Sequence, residues 1–265
     1  MKHSLSLLFV FALFLLSSFE QHSINTQQTT FGYKAGEFLK YRFHYGSMNA
    51  GFATLTVYDA KYNNEPHHYI KGYGYSTGVV SSFFKVEDHY ESYINKATGI
   101  PSKSVRNINE GGYTKNQVTY FNHAKNSATV SDKKNGTNKS YKVHAKIQDM
   151  LSSLYYLRNQ DFSKKKVGDS VDMDIFLDEE IYPFKVKITA KGVVKETKFG
   201  KIKCIALKPL VQAGRIFKEK ESLTIYVSED SNLVPIQVKA DILVGSLKAD
   251  LEEYKNLVEP LKFYK

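Results

Sequence analysis

Phe38-Leu39-Lys40-Tyr41-Arg42-Phe43-His44-Tyr45 alternates residue by residue: Leu39, Tyr41, Phe43 and Tyr45 on one side, Phe38, Lys40, Arg42 and His44 on the other. A period of two puts one set on a core and the other toward water. The pattern recurs in Val171, Met173, Ile175 and Leu177 against Asp172, Asp174 and Phe176, and in Phe184, Val186, Ile188 and Ala190 against Lys185, Lys187 and Thr189. Repeated strands of this kind predict antiparallel sheet with one wet face.

Turn residues separate the strand runs, at Asn63-Asn64-Glu65-Pro66, Glu110-Gly111-Gly112, Lys134-Asn135-Gly136 and Glu229-Asp230-Ser231-Asn232. Such spacing predicts a mainly β fold, a sandwich or an open half-barrel reminiscent of lipoprotein carriers. One segment breaks the alternation. From Lys146 to Arg158, Ile147, Met150, Leu151, Leu154 and Leu157 fall at helical spacing, with Asp149 early and Arg158 late, where the helix dipole favours each sign. This predicts an amphipathic helix over 146–158. It bridges two similar β layers, residues 31–145 and 167–265, within a single domain of 31–265. Gly36-Glu37-Phe38-Leu39 and Gly168-Asp169-Ser170-Val171 open the two halves alike, which suggests a duplication.

The chain begins with Lys2 and His3, an apolar run from Leu5 to Leu16, and Ser17-Ser18, the layout of a secretory signal over residues 1–22. That run is shorter than the roughly 20 residues a membrane-spanning helix needs. No transmembrane helix is expected. No cysteine follows the run, so a thioether-linked lipoprotein is not expected either, and the predicted compartment is the periplasm or the exterior. The single cysteine, Cys204, sits in the alternating stretch Ile202, Cys204, Ala206 and reads as a small buried hydrophobe. The net charge of +10 draws an exported protein toward anionic membrane surfaces. No basic run pairs with a recognition helix or a base-stacking platform, so no nucleic-acid partner is expected.

Candidate chemistry is sparse. Gly74-Tyr75-Ser76-Thr77-Gly78 matches the nucleophile elbow, but that motif needs strand–helix alternation, and here it reads as a strand ending in a turn. Glu65-Pro66-His67-His68 reads as a polar turn without the spacing of a zinc site. The carboxylates Asp172 and Asp174, Asp178 to Glu180, and Glu229 and Asp230 read as solvated faces rather than a pair with separated pKa values. No catalytic residue, metal ligand or cofactor is therefore assigned. The aromatics, 19 Tyr and 17 Phe without Trp, include Tyr69, Tyr73, Tyr75, Tyr113, Tyr120 and Tyr155-Tyr156, most of them expected in the core. Phe83-Phe84 differs: adjacent residues of an extended strand face opposite ways, so one of them needs a cavity or a partner.

Gly36-Glu37-Phe38-Leu39-Lys40-Tyr41, Asn49-Ala50-Gly51, Asn109-Glu110-Gly111-Gly112-Tyr113, Asp149 to Arg158, and Val234-Pro235-Ile236 followed by Val244-Gly245-Ser246 together resemble the exported bacterial proteins grouped as domain of unknown function 3108, found in Bacteroidetes-type envelopes. The resemblance implies an exported, mostly β protein and carries no catalytic residue onto this chain. The function expected is a non-enzymatic periplasmic binding protein for a lipid or other hydrophobic ligand. Met150, Leu151 and Leu154 are expected on the floor of its cleft, with Phe83 or Phe84 at the rim. An envelope scaffold that binds another protein through strand edges is the first rival, and a lipid or glycan hydrolase is the second.

Overall fold

The computed structural model describes residues 31–211, 223–241 and 245–264. The expected leader and Val244 lie outside the described residues. In chain order the elements are β1 (Phe38–Tyr45), β2 (Met48–Tyr62), β3 (Glu65–Ser76), α1 (Gly78–Phe83), β4 (Glu87–Asn95), β5 (Pro101–Glu110), β6 (Tyr113–Asn122), β7 (Ser127–Asp132) and β8 (Thr137–Lys142). After them come α2 (Met150–Arg158), β9 (Ser170–Leu177), β10 (Glu180–Thr197), β11 (Gly200–Val211), β12 (Leu223–Ser228), β13 (Pro235–Asp241), β14 (Ser246–Lys255) and β15 (Phe263–Tyr264).

The strands form one 15-stranded sheet in the order β8-β7-β6-β5-β4-β3-β2-β1-β14-β13-β12-β11-β10-β9, with β15 added beside β11. The two halves expected as separate layers are thus one continuous surface. They join where β1 pairs antiparallel with β14, Phe43 opposite Ala249. The sheet curls without closing, and no ladder joins its end strands β8 and β9. Other groups hold the seam. Gln148 donates its amide to the Asp174 carbonyl at 2.8 Å and accepts from the Phe176 amide at 2.8 Å. Arg106 donates to Asp178 at 2.7 Å, Lys115 pairs with the same carboxylate, and the Tyr141 hydroxyl bonds Glu179. Phe176, expected on the wet face, is buried against Phe121 and Tyr141 because the far end of the sheet folds over it.

The helix is shorter than its apolar spacing predicts. It starts at Met150 because Asp149 is its N-cap: the carboxylate accepts from the Leu151 amide at 2.8 Å and the Ser152 amide at 2.9 Å, while Ser152 Oγ accepts from the Asp149 amide at 2.8 Å. Lys146 instead lies in a turn, and Gln148 makes an isolated parallel bridge to Ile175 of β9 before the helix begins. Ser92 Oγ donates to the other Asp149 oxygen at 2.6 Å. Burial pushes this carboxyl up to about 6, against the opposing pull of those hydrogen bonds. A raised acid favours the folded state in its neutral form. That contribution is fully present below about pH 4, where the unfolded group is also protonated, and is lost as pH rises through about 6. Asp149→Asn keeps the cap oxygen, so its urea midpoint is expected to vary less between pH 4 and 6 than that of the parent; an unchanged slope would assign the titration elsewhere.

The core lies inside the curl. Val57, Ile70 and Ile94 pack on Leu151 and Tyr155, while Val171, Met173, Val186, Ile188, Ile205 and Leu207 pack around Leu157 and Phe162. Leu39 and Tyr41 are buried as their alternation predicts, and Cys204 is buried with its thiol pushed up to about 12 by burial. Tyr69, Tyr73 and Tyr75, expected in the core, stand on the outer face. There Tyr69 stacks between Tyr58 and Tyr93, with ring centroids 5.7 and 4.6 Å away, and Tyr73 stacks on His89 at 4.6 Å. The parity of β3 explains the reversal. Its inward positions are Ile70, Gly72 and Gly74, so the intervening tyrosines must face out. Tyr113 and Tyr120 are likewise exposed, whereas Tyr155 is fully buried. His67 and His68 are buried strand residues rather than a turn; burial lowers His68 to about 4 beside the Phe31 and Tyr33 rings.

Candidate functional site

Where β2 and β3 run past α2, their inward residues are small. Register places Leu55 opposite Gly72, Ala53 opposite Gly74 and Gly51 opposite Ser76. Gly51 is required by close approach, since a Cβ there would collide with the Tyr75 carbonyl oxygen. Gly74 is different, because a Cβ there would meet nothing within 4 Å. The missing side chains leave a cleft of about 510 Å³, within the roughly 300–1,000 Å³ of small-molecule sites. Its walls include Phe43, Ala53, Leu55, Tyr90, Val80 and Val86.

Of the residues expected at a ligand site, Met150 and Leu151 do line this cleft, Met150 being 37% exposed. Leu151 closes one end, its methyls 3.5 and 3.6 Å from the space above Gly72. Leu154 is partly buried and packs instead against the cluster of Tyr33, Val57 and Ile70. Phe83 and Phe84 do not belong to a strand. Phe83 ends the short helix α1 and is 87% exposed, and Phe84 caps it, lying against Gly111. Val80, three residues before Phe83, is the α1 side chain that reaches the cleft. Phe43 follows the strand alternation yet is 42% exposed, because it faces this open space rather than filled core.

Two lining residues escape a reading of the sequence. Asp88 and Glu110 stand on the cleft wall, brought together by the bridge between Val86 and Glu110. Asp88 is 5% exposed and accepts the Asn109 amide at 2.9 Å. A hydrogen bond to Asp88, helped by burial, raises the Glu110 carboxyl above its usual range. The residues lie 22 apart on different strands, and nothing in their local pattern joins them. The small inner face escapes a local reading as well, because the alternation Gly72-Tyr73-Gly74-Tyr75 read alone puts the tyrosines, not the glycines, on the core side.

Ser76, the centre of the elbow-like motif, also lines the cleft. Its Oγ accepts the Val86 amide at 2.8 Å at the end of β3, just before α1, but the sheet here is antiparallel, not the parallel sheet above which a nucleophile elbow stands. Asp172 and Asp174 pair with Lys185 and His144, and Asp178 serves the seam. Among the described residues no three His, Cys, Asp or Glu side chains converge as a metal site would need, and no helix is long and apolar enough to cross a membrane. A second depression of about 840 Å³ beside α2 is lined by Lys146, Asp172, Asp174 and Lys185 together with Tyr156 and Phe184, and is correspondingly charged.

No relative among curated proteins matches the chain. Among solved structures it is similar to the crystal structure of a β-barrel-like protein of domain of unknown function DUF1849 from Brucella abortus, with a TM-score of 0.54. The identity is 10% over 82% of this chain and 96% of that one, so the likeness is one of fold alone. The profile described as "Protein of unknown function (DUF3108)" matches residues 40–252, most of the sheet from β1 to β14, and the chain belongs to that family.

Proposed function

We propose that the protein is an exported, non-enzymatic carrier that takes the apolar part of a lipid-like ligand into the cleft between β2, β3 and α2. The observation that carries this reading is the cleft itself, an apolar concavity of about 510 Å³ into which Gly74 places no side chain. Such an omission leaves apolar surface wet, which is costly unless a ligand covers it. A hydrolase reading has less support, because the Ser76 hydroxyl accepts a backbone amide and no histidine lines the cleft among the described residues. Export rests on the apolar run Leu5 to Leu16. Native mass spectrometry of the protein purified from its own envelope, followed by organic extraction, tests the proposal: a bound acyl species is expected, and empty protein that displaces no hydrophobic dye would end it.

The rim has its own test. Val79, Phe83 and Phe84 on and after α1 are exposed beside the cleft residue Val80, and Lys85 follows them with its side chain in solvent. Apolar side chains with a flanking cation suit the interface of an anionic bilayer, where burying a phenylalanine gains about 1.5–3 kcal/mol. Phe83→Ser is expected to weaken binding to phosphatidylglycerol vesicles roughly tenfold or more while leaving the melting temperature unchanged. Equal vesicle binding would separate the rim from any membrane role.

A further inference from the structure

The cleft is polarised along its length. Strand β3 passes Gly72 at the level of Leu55, Tyr90 and Leu151, then Gly74 at the level of Asp88, then Ser76 beside Val86. At about 3.3 Å per residue this run is roughly 13 Å long. One end is therefore apolar, floored by Leu151, and the end toward α1 holds the carboxyls of Asp88 and Glu110. Among the described residues no lysine or arginine lines the cleft. Arg106 lies near enough to Glu110 to influence it, but its guanidinium is engaged with Asp178 at the seam. Lys85, just after α1, pairs its ammonium with Glu87 at 3.6 Å.

We propose that the ligand is an amphiphile with a hydrogen-bond-donating, non-anionic headgroup, a hydroxyl or an amine, received by Asp88 and Glu110 while its tail lies on Leu151. This rests on the carrier reading and adds its ligand class. Two carboxyls on one wall of the cleft, brought together by the Val86–Glu110 bridge, keep at least one acceptor oxygen each, and together they carry negative charge unless both are protonated. A hydroxyl or ammonium satisfies those oxygens. A fatty-acid carboxylate or a phosphate would instead enter an apolar site beside like charge, with no lysine or arginine among the described lining residues to meet it, which disfavours it strongly. The selectivity thus comes from repulsion of anionic heads as much as from attraction of donors.

Dye-displacement titrations of the full protein at pH 7.5 decide this, using probes with one C16 tail: monopalmitoylglycerol, hexadecylamine and palmitate. The glycerol and amine probes are expected to displace the dye at concentrations at least about tenfold below palmitate. Glu110→Gln, a change at a partly exposed position, is expected to narrow the gap between hexadecylamine and palmitate; Asp88→Asn, checked for folding by its melting curve, should do the same. Palmitate binding as well as or better than the donor probes, or a gap unchanged in Glu110→Gln, would overturn the headgroup assignment and leave the carrier reading standing. Failure of all three probes to displace the dye would overturn both.

Discussion

Gly74→Phe is expected to weaken binding of every hydrophobic probe by roughly a hundredfold while the protein stays as stable as the parent. The two halves of this expectation have separate causes. A side chain at position 74 points into the cleft, where a Cβ meets no atom within 4 Å, so a phenyl ring occupies the volume a ligand tail would fill. A glycine in the middle of a strand meanwhile costs about 0.5–1 kcal/mol relative to alanine, and phenylalanine suits a pleated surface. The substitution therefore carries no intrinsic penalty to offset. Gly74→Ala, which adds one methyl group, should reduce affinity only slightly. Isothermal titration or dye displacement with a neutral C16 amphiphile, beside a thermal melt, reads both effects. Parent-like affinity in a folded Gly74→Phe protein would show that the ligand does not lie in this cleft.

Removing one partner of the Glu37–Arg158 pair is expected to cause the largest loss of stability of any single change considered. Arg158 closes α2 with its side chain 1% exposed, donating to Glu37 Oε1 at 2.5 Å and Oε2 at 2.8 Å, to the Gly32 carbonyl at 2.8 Å and to the Asn232 carbonyl at 3.0 Å. Its guanidinium also lies over the Tyr33 and Tyr155 rings, at 5.7 and 5.3 Å. Burial works against its charge, but Glu37 more than compensates and holds its pKa above the ordinary value. The residue thus fastens the end of the helix to the N-terminal segment and to the turn before β13. Arg158→Met leaves a buried carboxylate without a partner, for which about 3–5 kcal/mol is typical. In a domain of this size that corresponds to a melting temperature lower by about 6–20 °C. Glu37→Gln should cost less, because the amide oxygen still accepts one guanidinium bond. The double change Glu37→Leu with Arg158→Met should recover part of the loss but not all of it, since the carbonyls of Gly32 and Asn232 then lose their donor. A single variant within about 1 kcal/mol of the parent in urea titration would contradict this account.

The same residues show where local sequence suffices. Period-two alternation identified β1, β9 and β10 as half-buried strands, because parity along a strand is a local property set by the backbone alone. The helical spacing of Leu151, Leu154 and Leu157 identified α2 for the same reason, and a lone cysteine between Ile202 and Ala206 was legible as buried. The start of α2 was not, because apolar spacing continues through Ile147 and the cap at Asp149 depends on Ser92 from a distant strand as well as on its own helix. Nor was α1, whose six residues carry no buried side chain and hence no periodic pattern to read.

By itself, then, the sequence determined the alternating strands β1, β9 and β10 and the main helix, but not which face of β3 is the inner one. Tertiary structure alone decided that the halves form one sheet through β1 and β14, that the small inner face opens as a cleft instead of closing on a neighbour, and that Asp88 meets Glu110 and Arg158 meets Glu37 across 121 residues of chain. The reason is physical. Alternation and helical spacing are enforced by neighbouring residues, whereas sheet order, cavity and buried charge pairs depend on which distant surfaces the curl of the sheet brings together, and no local pattern encodes that distance.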